Sequence, residues 1–396
     1  MASAESSASC PFAANRDDRK SASLAARLVR PEAGARVVGS LALARDILRN
    51  SGALQAGAGA EQVNTGNPDQ APVFYLDGEP HRRKRAAIAR FFTPKAVTTR
   101  HHVVMERTTE ALLARLRTDG SARLDEISFE LAVAVAAEII GLTESSLPTM
   151  AKRIEASLAS IGKPRRKGPL LWLATAGQAM RFLHFFYRDV RPAIRARRAA
   201  PRDDVISHLL DEGYSDKAIL IECTTYAAAG MVTTREFIVM VAWHLFERAD
   251  LREAFLAGDE AAQLAMLQEI LRLEPVAALV HRRATQAIST VNGAALAGEL
   301  LALDIRAANT DEAAVGACPF AIDPERPRRQ KGNGSFLSFG DGNHTCPGWQ
   351  VALHETRIFI DALMRVPDIR LEREPDMSWN AGLMSYELRN AIVVTR

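Results

Sequence analysis

The 396 residues carry 50 Lys and Arg against 47 Asp and Glu, a formal net charge of +3, too even a balance to argue for a nucleic-acid partner. With 47% hydrophobic and 24% charged residues the chain can bury a large core in water, which excludes the disordered and fibrous classes. The cysteines Cys10, Cys223, Cys318 and Cys346 lie far apart without C-x-x-C spacing. Neither a zinc ribbon nor a disulfide framework is indicated, and a reducing cytoplasm is the expected setting.

Residues 1–25 are rich in Ala, Ser and charge and read as a flexible arm. They lack the apolar centre of a signal peptide, and no stretch of about 20 apolar residues marks a membrane anchor. A short strand is expected at 36–38, followed by a helix through Ile47. Residues 51–72 have little periodicity and read as a long loop. In Leu76-Asp-Gly-Glu-Pro-His-Arg-Arg-Lys-Arg85, His81 and Arg85 are spaced for one helix face, where both can donate to an anion. Alone, such a run is most simply a solvated basic helix. Arg82, Arg83, Lys84 and Arg90 read as a basic surface patch, open to an acidic partner or merely solvated.

Helical patterning dominates 101–116 and 127–140, and 147–198 reads as two helices joined around 162–168, with an apolar knot at 170–173. The longest helix expected, 215–248, is apolar nearly all round and should be buried. Within it Ala229 and Gly230 precede Thr233 and Thr234. A mid-helix glycine costs about 1 kcal/mol against alanine, and threonine can bond back to the preceding turn and bend the helix. The pattern suits a polar notch in an apolar wall, or a plain kink. Glu236, one turn beyond Thr233, is a speculative proton source. Glu269 and Arg272 form a helical ion-pair spacing that alone means little. Small apolar residues at 277–280 suit a pocket wall, and 301–305 and 391–394 read as strands. The fold class is therefore mainly α with a minor β portion.

The stretch Phe339 to Glu355, F-G-D-G-N-H-T-C-P-G-W-Q-V-A-L-H-E, places Cys346 after a loop with Gly340 and Gly342 and before a helical run. A helix N-terminus favours thiolate over thiol, and thiolate is a ligand for a soft metal centre. Glycines there would let backbone lie flat against a bulky planar ligand. A lone cysteine is otherwise most often a small buried apolar residue.

Phe339, Gly340, Gly342, His344, Cys346, Gly348, Ala352 and Glu355 together resemble the haem-binding loop of the cytochrome P-450 superfamily. Val351 and Leu353 depart from the family's Leu and Arg, the latter as a possible lost surface charge. The notch resembles the family's oxygen-binding groove with Ala229, Gly230, Thr233 and Thr234 matching, but Val232 stands where the family has an acid. The resemblance runs from about Asp77 to the C-terminus. It implies the P-450 fold as a single domain over 26–396, with haem b on Cys346 as axial thiolate. It implies propionate contacts from His81, Arg85, Arg282 and His344, with Arg283 the fallback for Arg282. Glu269, Arg272 and Arg326 would be a structural trio, and residues 51–72 would cover the substrate. The implied activity is monooxygenation of a small apolar substrate in the cytoplasm, without nucleic acid or membrane. Electrons would come from NAD(P)H through a ferredoxin and its reductase. Alternatives are a haem-thiolate enzyme using peroxide or catalysing a rearrangement, and a haem sensor without turnover.

Overall fold

The computed structural model describes residues 16–57, 60, 66–158, 169–326 and 336–395. The expected helix junction at 162–168 lies outside them, as do the side chains of the 170–173 knot. The chain divides into two compact units, Met1–Gly57 with Gly258–Cys346, and Ala58–Ala257 with Pro347–Arg396.

The first unit is built on a four-stranded sheet. Its strands run in the order Arg36–Val38, Leu300–Asp304, Leu279–Ala284, Ala53–Ala56. Val37 pairs with Ala302 in parallel, whereas Val280 faces Leu303 and Gln55 faces Arg282 in antiparallel register. Leu301 and Leu303 are buried with the Leu41–Arg49 helix, whose inward residues Leu41, Ala44, Ile47 and Leu48 recur at helical spacing. The arm is tied down from its first described residues: Asp18 N–H donates to the Phe320 carbonyl, and Ile322 N–H donates to the Asp18 carboxylate at 2.8 Å. Ser21 donates through both its backbone N–H and its hydroxyl to Glu274, at the end of the Glu260–Leu273 helix. Burial nevertheless pushes the Glu274 carboxyl up to about 7. Cys318 is disulfide-bonded whereas Cys223 and Cys346 are free. The sequence indicates no disulfide framework, and the bond at Cys318 is one that spacing along the chain does not signal.

The second unit is helical. His102–Asp119, Leu124–Ile140, Thr233–Glu247 and Trp349–Met364 pack against one another. Leu124–Ile140 is buried nearly all round, as its unbroken apolar run dictates. The expected 215–248 helix is three segments: Asp216–Tyr226, a π-helical stretch Ala227–Val232, and Thr233–Glu247. A three-stranded antiparallel sheet (Ser121–Arg123, Ile392–Val394, Arg370–Arg373) and the hairpin Asp376–Asn380 with Ser385–Arg389 complete the unit. Among the described residues no helix is long and apolar enough to cross a membrane.

Candidate active site

In the first unit, the loop that carries Cys346 is closed by its own backbone. Cys346 N–H donates to the Phe339 carbonyl at 2.8 Å, and Gly340 N–H donates to that of Leu337. Gly340 and Gly342 have φ of +71° and +66°, a conformation other residues adopt only with strain. At Gly342 an added Cβ would also lie 3.0 Å from the Leu48 carbonyl carbon and closer still to its oxygen. Both glycines thus serve the turn, and Gly342 also its close approach to the Leu41–Arg49 helix. Asp341 locks the same contact by bonding Arg45 and Arg49, with Arg49 Nε at 2.9 Å. Phe339, Gly340, His344 and Cys346 are all half-exposed, so the thiol stands within reach of a ligand.

Behind the loop, Arg272 and Glu269 face each other at 2.8 Å on one helix, and Arg326 Nε donates to Glu269 at 2.9 Å, with all three fully buried. Their spare donors are taken by carbonyls of Asn309, Pro319 and Ala321 from Arg272 and of Val315 and Cys318 from Arg326. Asn309 carries this scaffold to the loop. Its amide donates to Ser338 Oγ at 2.8 Å and its carbonyl accepts from Leu337 N–H at 2.9 Å. Arg282 is buried in the sheet and donates to the His281 carbonyl, while Arg283 is exposed and donates to that of Gly298.

In the second unit, Gly348 is the N-cap of Trp349–Met364 and lies 3.8 Å, by its would-be Cβ, from the Phe92 ring. Leu353 on that helix is buried, so apolar character there fills core and removes no surface charge. Glu355, also buried, has one oxygen without a hydrogen-bond partner, and burial lifts its carboxyl to about 8. His81 is buried and Arg85 half-buried on the helix Gly78–Ala89. Lys84, expected in the surface patch, is instead buried and paired with Glu222. The notch is formed by the π-helical stretch, where the regular ladder is broken. Thr233 donates to the Ala229 carbonyl and Thr234 to that of Gly230, each at 2.6 Å. A Cβ on Gly230 would meet nothing within 4 Å, so the notch opens onto free space. Val232 is buried. Glu236 is not available as a proton source: it accepts from Leu388 N–H and Arg389 at 2.7 Å and from Arg235 at 3.0 Å, fastening the hairpin to its helix.

Among the described residues of this mainly helical fold, Cys346 is the free cysteine that is not buried. The Cytochrome P450 family matches residues 264–383. Cytochrome P450 107B1 of Saccharopolyspora erythraea is 26% identical over 83% of this chain and 78% of its own length. Erythromycin C-12 hydroxylase of the same organism is 25% identical over 76% and 74%. Among solved structures, P450BioI in complex with hexadec-9Z-enoic acid ligated acyl carrier protein superposes with a TM-score of 0.75, covering 91% of this chain and 92% of its own at 23% identity. By sequence over 264–383 and by fold, the chain is similar to bacterial cytochrome P450 hydroxylases, a family that implies haem.

Proposed function

We propose that the enzyme inserts one oxygen atom of dioxygen into a small apolar organic substrate, by hydroxylation or epoxidation, with haem b held on Cys346. The observation that carries this is the half-exposed Cys346 thiol on a loop braced by Gly342, Asp341 and Asn309. A single thiolate cannot hold a metal ion alone. Among the described residues no group of three or more His, Cys, Asp or Glu offers further ligands, which suits a metal that arrives in its own macrocycle. Haem fits the donor set: a soft thiolate for iron, and His81, Arg85, Arg282 and His344 as cationic or neutral donors for its carboxylates. Phe339, Gly340 and Gly348 would flank it.

Haem held by Cys346 would supply the activation of dioxygen, with the Cys346 thiolate as its electron-rich ligand. The chain does the rest. Ala229 and Gly230 leave room in the helix wall. Thr233 donates its hydroxyl hydrogen bond to the Ala229 carbonyl, which leaves its oxygen able to accept a hydrogen bond from water. Ala277 and Val280, half-buried, offer small apolar surface to the substrate. Electrons would come in the cytoplasm from NAD(P)H through a ferredoxin and its reductase, and residues 26–396 would act as one catalytic domain.

Val232 favours one second reading, an enzyme driven by peroxide or a rearrangement without dioxygen. Product formation with NAD(P)H, ferredoxin and reductase supports the first reading, and product formation with peroxide alone supports the second. Spectral displacement of water from the ferric enzyme by apolar compounds would find the substrate. A protein that binds such compounds but never consumes reductant or peroxide would be a sensor.

A further inference from the structure

The helix Gly78–Ala89 has little apolar patterning to set its rotation. Its buried residues are His81, Lys84 and Ile88, at one-face spacing, so most of the inward face is polar. Lys84 is 3% exposed. Its Nζ donates to the Ala71 carbonyl at 2.7 Å and to Glu222 Oε1 at 2.6 Å. Glu222 lies on Asp216–Tyr226 and is equally buried, and its second oxygen has no hydrogen-bond partner. The Tyr226 phenol adjoins it one turn further on. A buried ion pair adds little over well-packed apolar groups, yet it tolerates no slippage, because a displaced partner leaves a charge stranded.

We infer that the Lys84–Glu222 pair is a positioning device: it fixes the rotation of Gly78–Ala89, and so the aim of His81 and Arg85, and joins that helix to the one that runs into the Gly230 notch. The inference rests on the reading above in taking His81 and Arg85 as carboxylate donors. Side chains end ~5 Å from a helix axis, so a turn of about 30° carries them ~3 Å. That is enough to break a hydrogen bond. Lys84 resists such a turn because it is pinned from two directions by groups on other segments, the Ala71 carbonyl and Glu222.

The experiment uses the haem-loaded full chain and measures haem loss to an excess of acceptor apoprotein beside thermal unfolding. Lys84→Met and Glu222→Gln should each lower Tm and speed haem loss. The paired variant Lys84→Met/Glu222→Leu strands no charge and should recover Tm, yet lose haem roughly tenfold faster than wild type, the effect of one misaimed charge-assisted contact. Wild-type haem loss in the paired variant overturns the positioning role. Arg85→Leu separates the two readings. If it leaves haem loss unchanged while the paired variant is fast, the donor assignment of Arg85 fails and the positioning role of the pair stands. If Arg85→Leu is fast and the paired variant is not, the positioning role alone fails.

Discussion

Gly342 packs its Cα face directly on the carbonyl of Leu48, leaving no room for a Cβ. The cysteine loop is thereby seated on the Leu41–Arg49 helix by a backbone contact, and its geometry is inherited from a helix almost three hundred residues earlier in the chain. Gly342→Ala adds a clash to the cost of a left-handed φ and should destabilise by about 2–3 kcal/mol. Gly340→Ala bears the φ cost alone, since its Cβ would stay 3.6 Å from the nearest atom, the His344 carbonyl oxygen. That substitution should cost about 1 kcal/mol. Denaturant unfolding of both variants checks the difference, and equal losses would count against a special Gly342–Leu48 contact.

Cys346→Ala should abolish the thiolate-type spectrum of the reduced carbon monoxide complex, while Cys223→Ala should leave it. Cys223 is buried on Asp216–Tyr226, and its thiol is pushed far up by burial and by Glu222, which makes it an inert packing group. Retention of the spectrum in the Cys346 variant would remove it as the ligand.

Much of the fold was legible because its helices announce themselves by periodicity and its strands by short β-branched or apolar runs. The strand at 36–38 and the helix after it form where expected, as do the helices near 101–116 and 127–140. The cysteine loop and the notch could be read because glycine, cysteine and threonine at fixed spacing carry local information. The burial and the partners of Lys84, Glu222, Asn309 and Glu355 could not. A lysine among arginines looks solvated until a helix 138 residues later brings a carboxylate to it. Asn309 matters only because distant segments converge on its amide. Glu236 was misread for the same reason, since its partners Leu388 and Arg389 are 152 and 153 residues away.

Glu355 should make stability fall with pH across neutrality. Burial raises its folded carboxyl from 4.5 to about 8, so the folded state holds a proton that the unfolded state has released. Its contribution is fully present below about pH 4.5 and is lost as pH rises through about 8. Glu355→Gln keeps a neutral polar group and should flatten the stability curve over that window by up to a few kcal/mol. Parallel curves for wild type and variant in denaturant titrations at several pH values would refute this.

Breaking the buried trio should unfold the loop's support. Arg272→Leu leaves Glu269 with Arg326 and the Asp323 N–H and strips donors from the Asn309, Pro319 and Ala321 carbonyls. The loss should be about 3–5 kcal/mol, as for removal of one partner from a buried pair. Arg283→Leu, at an exposed position on the strand Leu279–Ala284, should cost under ~1 kcal/mol. Comparable losses in the two variants, measured by thermal unfolding, would contradict the buried assignment.

The last prediction turns on Val232, the apolar residue beside the notch hydroxyls. If protons must pass through an acid at that position, the enzyme should leak reducing equivalents as peroxide. Glu236 cannot stand in, for two arginines and a backbone N–H hold it on the hairpin side of its helix. The other route is water held by Thr233, by backbone carbonyls near Gly230 or by a polar group of the substrate; the Thr233 hydroxyl donates its hydrogen bond to the Ala229 carbonyl and so presents lone pairs to the open space over Gly230. A hydroxyl kept in an otherwise apolar wall is costly unless it has partners, and here one partner is the carbonyl and the other would be that water. Thr233→Ala should then raise peroxide released per NAD(P)H consumed by roughly tenfold, the worth of one lost hydrogen bond of about 1.4 kcal/mol. Val232→Asp should change it little, since a carboxylate there would have to be desolvated before it could act. A sharp gain in coupling from Val232→Asp, with Thr233→Ala indistinguishable from wild type, would show that the acid and not the water is what this helix lacks.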